Sequence, residues 1–196
     1  MNYLAHLYLA GPEPEALLGA LMGDFVKGPL ASRYPAPLAR ALALHRRIDS
    51  FTDAHPRVAV SRARMSAPRR RFAGIMVDLF YDHFLARNWT EYASEPLHQF
   101  TGRVYTLVQL HHARLPERLQ SLAPRMAEQD WLGSYRDVGA VHEALDRISR
   151  RLKRENRLEG AGVELDANYA ALETDFRVFF PDVVGFAAGL GGRETG

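Results

Sequence analysis

The sequence contains no cysteine, and this absence excludes several classes of protein at once. Without thiols there is no disulfide framework, no thiolate zinc or iron–sulfur site and no cysteine nucleophile, so any bound metal ion is held by His, Asp or Glu. The chain also lacks a large excess of either charge, because 25 basic and 23 acidic residues give a formal net charge of +2. Charge alone therefore gives no reason to expect a nucleic-acid partner.

Long apolar runs and strand patterns are scarce as well. The apolar segment 1–10 has no basic residue before it, contains His6, and meets Gly11 and Pro12 too early to cross a bilayer. We therefore predict neither a signal peptide nor a membrane anchor, and a cytoplasmic protein. The β-branched residues are scattered singly, so no segment alternates for long in the manner of a strand.

Apolar residues instead recur every three or four positions, as they do on one face of a helix. Three such stripes run along 97–108, 138–152 and 165–179. Because no linker or repeat divides the chain, the pattern predicts an all-α fold in one domain spanning 1–196, with a frayed tail at 189–196. Breakers place the helices from Pro12 or Pro14 to Gly28, from Pro35 or Pro37, from Pro56, from Pro68 to Trp89, and from Pro96, Pro116 and Gly139.

Several histidines and aspartates of the first 83 residues fall on faces that this pattern turns inward. On the helix after Pro35, Leu42 and Ile48 lie in the buried stripe, and His45 and Asp49 lie in the middle of it, one turn apart. The same comparison with the apolar stripe predicts that histidines and aspartates of neighbouring elements also face inward. The seven candidates are His6, Asp24, His45, Asp49, Asp78, Asp82 and His83.

Two interpretations of these seven residues are open. Any one of them alone is most simply a hydrogen-bonded core residue, and Asp49 could pair with Arg46 or Arg47. As a group, buried carboxylates with few lysines or arginines among them repel one another and need a cation. Imidazole and carboxylate without thiolate suit Mn, Fe, Mg or Zn, and the weight of carboxylate favours the harder ions.

Longer motifs occur in a fixed order along almost the whole chain. They are MNYLAHL at 1–7, GDFVKG at 23–28, HRRIDSFTDAHP at 45–56, RRRFAGI at 69–75 and DHFLA at 82–86, followed by Trp89, 149–151, 169–173 and Phe180-Pro181. This series resembles the acyl carrier protein phosphodiesterase family. Several long motifs in one order are far more specific than any single pattern.

The resemblance implies a divergent, all-α member of the HD phosphohydrolase superfamily that uses Mn²⁺. Its activity would remove the 4′-phosphopantetheine arm from holo-acyl carrier protein, a strongly acidic protein, and leave the apo protein. The seven residues fall on the family's motifs, but the superfamily's His-Asp order is reversed at Asp82 and His83. Similar proteins often have Asn where this chain has Ala20, so the hydrogen bond of that amide is missing or replaced here.

Hydrolysis of a phosphodiester needs a nucleophilic water, a Lewis acid and a proton for the leaving serine oxygen. The predicted metal ligands are Asp24, His45, Asp49, Asp82 and His83. The predicted catalytic residues are Asp24, Asp78, His6 and Arg46. Either Asp78 or His6 is expected to act as the general base or to orient a metal ligand.

The phosphate group also needs a cationic partner. Arg46, at the edge of the inward stripe, is the predicted phosphate ligand, and Lys27 is the second choice, because a guanidinium binds two phosphate oxygens at once. A structural salt bridge from Arg46 to Asp49 or Asp53 is an equally open interpretation.

Two segments concentrate positive charge. Residues 147–157 hold six basic side chains with Glu155 as the only acid, and the arginines of 69–71 oppose the dipole at the start of a helix. Charge runs are usually solvated faces, but the resemblance favours docking of the acidic carrier, above all at Arg150 and Arg151. The predicted docking residues are Arg69, Arg70, Arg71, Arg150, Arg151 and Arg154.

Two alternative functions stay open from the sequence. The same site would suit an HD-type hydrolase of a nucleotide or another small phosphoester. The chain could also be a non-catalytic helical module that binds an acidic protein. Trp131 and Tyr135 are interpreted as packing residues, and no nucleic-acid or membrane partner is predicted.

Overall fold

The computed structural model describes residues 1–30 and 33–191, and within these ranges the chain forms ten α-helices and no β-strand. The helices are α1 (Tyr3–Ala10), α2 (Pro14–Met22), α3 (Ala36–Ala54), α4 (Pro56–Ala63), α5 (Ala73–Arg87), α6 (Leu97–Leu110), α7 (Glu117–Glu128), α8 (Trp131–Ser134), α9 (Val138–Arg151) and α10 (Val163–Gly191). Short 3₁₀ turns lie at Gly23–Phe25, Arg70–Phe72, Trp89–Glu91 and His112–Arg114. The all-α prediction is confirmed.

Proline determines where most of these helices begin. Pro14 and Pro56 are the first residues of α2 and α4, and Pro35, Pro96 and Pro116 directly precede α3, α6 and α7. Proline suits the start of a helix because the N–H groups of the first turn have no intrahelical acceptor. The N–H that proline lacks would therefore have made no hydrogen bond within the helix. These starts therefore agree with the predicted ones to within a residue or two.

The first helix of the chain differs from the prediction. No helix is predicted before Pro12, yet α1 forms there. Leu4 and Leu7 of α1 are completely buried, and Asp82 of α5 accepts hydrogen bonds from the first amides of the helix. An eight-residue helix is unstable alone, so these tertiary contacts, which a sequence window does not contain, account for the difference.

Two other helices are shorter than predicted. α2 ends before the predicted Gly28, because Gly23–Phe25 tighten into a 3₁₀ turn. α5 covers less than the predicted 68–89, because Arg70–Phe72 form a separate 3₁₀ turn ahead of it. Short 3₁₀ turns of this kind are common at helix ends and carry no periodicity that a sequence pattern would reveal.

The predicted frayed tail at 189–196 is only partly within the described residues. Residues 189–191 continue α10, contrary to the prediction. Leu190 lines the same apolar groove as Ala16 of α2 and Leu44 of α3. Residues 192–196 lie outside the described part of the chain.

The core is centred on α5, which packs against α1, α4, α9 and α10. Val77, Phe80 and Phe84 of α5 are completely buried, as are Phe176 and Phe179 of α10. Each large aromatic ring removed from water contributes about 2–3 kcal/mol. α5 therefore forms the buried centre of the core, and α1 is packed directly against it.

α2 and α3 approach each other so closely that only glycine fits between them at one point. A Cβ on Gly19 would collide with the side chain of Ala41. This contact holds the inward face of α3 against the end of α2. None of the helices in the described part of the chain combines the length and the low charge that a bilayer crossing requires.

Candidate metal centre

Three elements bring imidazoles and carboxylates together at one edge of the bundle. α1 supplies His6, α3 supplies His45 and Asp49 from consecutive turns, and the 3₁₀ turn after α2 supplies Asp24. The same turn leaves room for the ring of His45, because Gly23 has no side chain and a Cβ at this position would collide with that ring. The close approach of the two elements therefore requires glycine at this position.

The contacts among these residues are short. Nε2 of His6 lies 3.0 Å from Oδ1 of Asp49, and Nε2 of His45 lies 3.3 Å from Oδ2 of Asp49 and 3.6 Å from Oδ1 of Asp24. The two imidazole rings are stacked, with centroids 3.7 Å apart and planes 15° apart. One ligand atom from each of His6, His45 and Asp49 lies within 4.8 Å of the others. We call these three residues the metal cluster.

The orientation of the His45 ring is fixed by the backbone of α2. Nδ1 lies 2.9 Å from the carbonyl oxygen of Ala20, and a carbonyl only accepts, so Nδ1 carries a proton. Nε2 is buried without a hydrogen-bond partner and faces Asp24 and Asp49. A neutral ring thus turns a lone pair toward two carboxylates, an arrangement that a proton or a metal ion relieves.

The pKa values of the two imidazoles move in opposite directions. Burial lowers the pKa of His45, but the carboxylates of Asp24 and Asp49 outweigh it and raise the pKa to about 9. Burial dominates at His6 and lowers its pKa to about 4. Burial also acts to raise the pKa of each carboxyl, but the neighbouring imidazoles outweigh it and hold the pKa of Asp49 and of Asp24 below the usual range. The site therefore attracts positive charge.

A further carboxylate borders the metal cluster. The amino group of Met1 lies 3.4 Å from Oδ1 of Asp49 and 3.4 Å from Oδ1 of Asp78, so these two acids share one cation. Burial raises the pKa of Asp78 despite that positive charge. Asp78 is thus the acid of this group most ready to hold a proton.

The structure does not bring Asp82 and His83 to the metal cluster. Asp82 is fully buried, and its two oxygens accept hydrogen bonds from the amides of Leu4 at 2.8 Å and Ala5 at 3.0 Å. Nδ1 of His83 donates to the carbonyl of Tyr135 at 2.7 Å, and Nε2 lies 2.8 Å from the hydroxyl of Tyr169. All of these polar atoms have protein partners, so both residues are occupied in holding helices together.

Within the described residues, Arg46 makes neither of the salt bridges that the sequence allowed. Its Nη2 donates to the carbonyl of Val26 at 3.1 Å. Asp53, one of its two suggested partners, is instead bonded to Arg62 at 2.5 Å. Lys27, the second choice for phosphate, is exposed in the same segment as Val26. Both cations therefore border the turn that carries the rim of the site.

Among the predicted docking residues, Arg69 is half-buried and bonded to other parts of the chain, and the others are exposed. Nη1 of Arg69 lies 3.3 Å from Oε1 of Glu164, and its Nε donates to the carbonyl of Arg157 at 3.1 Å. Arg69 thus joins the segment before α5 to the segment before α10, and its predicted docking role stays a prediction. The exposed members are Arg70, Arg71, Arg150, Arg151 and Arg154.

The fold and the site together define a class: an all-α protein with a His/Asp site able to hold a divalent metal ion. The family model for acyl carrier protein phosphodiesterase matches residues 1–183, and the chain belongs to this family. Acyl carrier protein phosphodiesterases of Salmonella agona, Salmonella newport and Salmonella heidelberg are each 36% identical over 189 residues, which is 96% of this chain and 98% of theirs. No solved structure matches the chain.

Sequence reasoning missed two features of the site. The hydrogen bond that orients His45 comes from the backbone of Ala20, so it needs no particular side chain at that position. The role of Asp82 as a cap for α1 was also missed. A signal existed for the second, since Asp82 lies on a fully buried face and any buried carboxylate needs donors.

Proposed function

We propose that this protein hydrolyses the phosphodiester between 4′-phosphopantetheine and the serine of holo-acyl carrier protein. The products are the apo carrier and 4′-phosphopantetheine. Family membership over almost the whole chain supports the reaction and the substrate. The observation that carries the chemistry is the buried Nε2 of His45, which faces Asp24 and Asp49 without a hydrogen-bond partner.

The residues present fit a divalent cation. We assign His6, His45 and Asp49 as its protein ligands, with Asp24 as the fourth candidate 3.6 Å from His45. Mg²⁺ prefers sites made of oxygen ligands alone. The two imidazoles among these ligands therefore favour Mn²⁺ or Fe²⁺ over Mg²⁺, and we propose Mn²⁺. When bound, such an ion acts as a Lewis acid on the phosphate and lowers the pKa of a coordinated water toward neutrality.

The proton transfers fall to this chain's own carboxylates. Water adds to phosphorus as the bond to the serine oxygen breaks, and one proton leaves the water while one reaches the serine. Asp78 has a raised pKa at the edge of the metal cluster, and we assign it this proton exchange. We assign His6 to the metal ligands, a role outside the two that the sequence analysis left open for it, because its ring nitrogen lies near His45 and Asp49.

Arg46 is the proposed phosphate ligand. Its guanidinium donates to the carbonyl of Val26, two residues after Asp24, and the other N–H donors of the group could bind two phosphate oxygens. Lys27 stays the second choice, because it is exposed and offers only a point charge. The exposed arginines at the start of α5 and at the end of α9 would attract the acidic carrier over longer distances.

A mass measurement tests the function directly. Metal-free protein is incubated with holo-acyl carrier protein and Mn²⁺, and the intact mass of the carrier is followed. We expect loss of the phosphopantetheine mass with Mn²⁺ and none with a chelator. The control is holo carrier with Mn²⁺ and the His45→Ala protein. An unchanged carrier mass with every divalent ion tried would refute the proposal, and turnover of nucleotides alone would favour the small-phosphoester alternative.

A further inference from the structure

Trp131, at the start of α8, lies under two arginines of α9. The guanidinium carbon of Arg147 is 5.2 Å from the centroid of the indole ring, and that of Arg151 is 5.7 Å away. Both distances are typical of cation–π contacts. The indole is only 4% exposed and donates from Nε1 to Oε1 of Gln129 at 3.0 Å, so its position is fixed. We call Arg147, Trp131 and Arg151 the arginine clamp.

The arginine clamp holds positive charge that the described residues neutralise only in part. Two guanidinium groups one turn apart on a helix repel each other. Arg147 has Glu143 at 3.5 Å, but that acid is 77% exposed. Arg151 has no ion pair within the described residues, and its Nε donates to a backbone carbonyl. Partial burial lowers the pKa of Arg151, and the nearby charge of Arg118 acts in the same direction.

A cavity and a ring contact link the arginine clamp to the turn that carries Asp24. A cavity of about 70 Å³ opens between the clamp and the start of α1. It is lined by Asn2, Tyr3, Trp131, Tyr135, Arg147 and Arg151. Tyr3 stacks on Phe25, with centroids 6.4 Å apart and planes 7° apart, and Phe25 directly follows Asp24 in the chain. A ligand in this cavity is therefore beside the rim of the proposed active site.

We infer that the arginine clamp binds one carboxylate side chain of the acidic protein substrate and thereby positions the substrate's phosphodiester at the metal cluster. This inference rests on the proposed function. A planar guanidinium matches a carboxylate with two parallel hydrogen bonds. Because Trp131 holds both arginines in place before binding, less side-chain freedom is lost there than at Arg150, the remaining arginine of α9. The clamp is thus a specific contact, whereas the other arginines give general attraction.

Binding of apo-acyl carrier protein tests this inference separately from turnover. The clamp variant is Arg147→Gln with Arg151→Gln. The control variant, Arg136→Gln with Arg157→Gln, removes the same charge from two side chains that are each 66% exposed. We expect the Kd for the apo carrier to rise at least about 10-fold in the clamp variant and less than about 3-fold in the control. Titration with Mn²⁺ checks that the metal cluster is intact in both.

Each outcome decides the inference. Equal weakening by the two double variants would show general attraction only and overturn the clamp, as would wild-type protein that binds no apo carrier. If the clamp variant fails to bind Mn²⁺, Arg151→Lys replaces it, and a rise in Kd of about 3-fold or more supports the clamp while an unchanged Kd overturns it. If carrier binding depends on the clamp but no turnover occurs, the proposed function is refuted and the inference about the arginine clamp is supported.

Discussion

The metal cluster and the Asp82–His83 pair are chemically alike but differ in how their polar atoms are satisfied. Both combine buried imidazole with a carboxylate, but Asp82 is fully buried whereas the Asp49 side chain is 38% exposed. At Asp82 and His83 every nitrogen and oxygen of the side chains has a protein partner, whereas Nε2 of His45 and Nδ1 of His6 have none. The difference teaches that burial alone does not identify a ligand, because an unsatisfied buried atom is the informative feature.

The largest effect is expected from replacing a histidine of the metal cluster. His45→Ala removes the unpartnered Nε2, and we expect the loss of tight Mn²⁺ binding together with a fall in kcat of at least about 10³-fold, since a Lewis acid supplies several kcal/mol. Calorimetric titration with Mn²⁺ and carrier turnover measure the two losses. His98→Ala, at an exposed histidine of α6, is the control. Full activity in His45→Ala would remove the cluster from the mechanism.

The complementary change affects stability rather than metal binding. His83→Ala leaves the Tyr135 carbonyl and the Tyr169 hydroxyl without their partner, and we expect the free energy of unfolding to fall by roughly 3 kcal/mol. Urea unfolding measures the loss, and Mn²⁺ titration of the folded protein should be unchanged. Weaker Mn²⁺ binding in a folded His83→Ala protein would place this residue among the ligands after all.

A glycine substitution sharpens the comparison without touching a donor. A Cβ at position 23 displaces the His45 ring, and we expect Gly23→Ala to lower kcat/KM by about 10²-fold, the usual cost of a misplacement near 1 Å. Gly102→Ala in α6 is the matched control, since its Cβ would have no neighbour within 4 Å. Equal activities of the two proteins would contradict the close packing described for the 3₁₀ turn.

A last test concerns the pH dependence of folding. Burial raises the pKa of Asp82 to about 7, although two backbone hydrogen bonds act against it. The folded chain therefore keeps a proton that the unfolded chain releases near pH 4. The stability due to this group is complete below that pH and is lost as the pH rises through 7. We expect a slope near 1.4 kcal/mol per pH unit between pH 5 and 6.

The measurement uses the difference between two proteins, because buried histidines titrate in the same range. Urea unfolding in chelator is compared for the wild type and for Asp82→Asn, whose amide does not titrate. The wild type should lose stability relative to the variant as the pH rises from 5 to 7. Parallel curves for the two proteins would show that Asp82 is charged throughout this range.

Sequence periodicity was sufficient for the local part of the candidate site. His45 and Asp49 are one turn apart on a single helix, so their convergence follows from helix geometry alone. The stripe that contains Phe100 and Val104 and the stripe that contains Val141 were predicted for the same reason, and these residues are buried. Starts at proline were equally predictable, because the steric reason lies within one residue of the break.

The partners of buried groups were not predictable in this way. The inward direction of Asp82 follows from its helix, but the donors that it meets belong to α1, 77 residues earlier in the chain or more. A single sequence gives no distance between elements that far apart, so a capping carboxylate and a metal ligand have the same pattern. The 3₁₀ turn at Gly23 was missed similarly, since only the contact with His45 explains why it must be tight.

The wide sequence separation of the three cluster residues has a consequence for heat stability. His6 and Asp49 come from helices whose contact spans 43 positions, so the unfolded chain contains no ready-made binding site. A cation held by the cluster therefore binds the native state alone, and each tenfold excess over its Kd adds about 1.4 kcal/mol. The midpoint of thermal denaturation should rise steadily with Mn²⁺ concentration, which offers an assay of occupancy that needs no substrate.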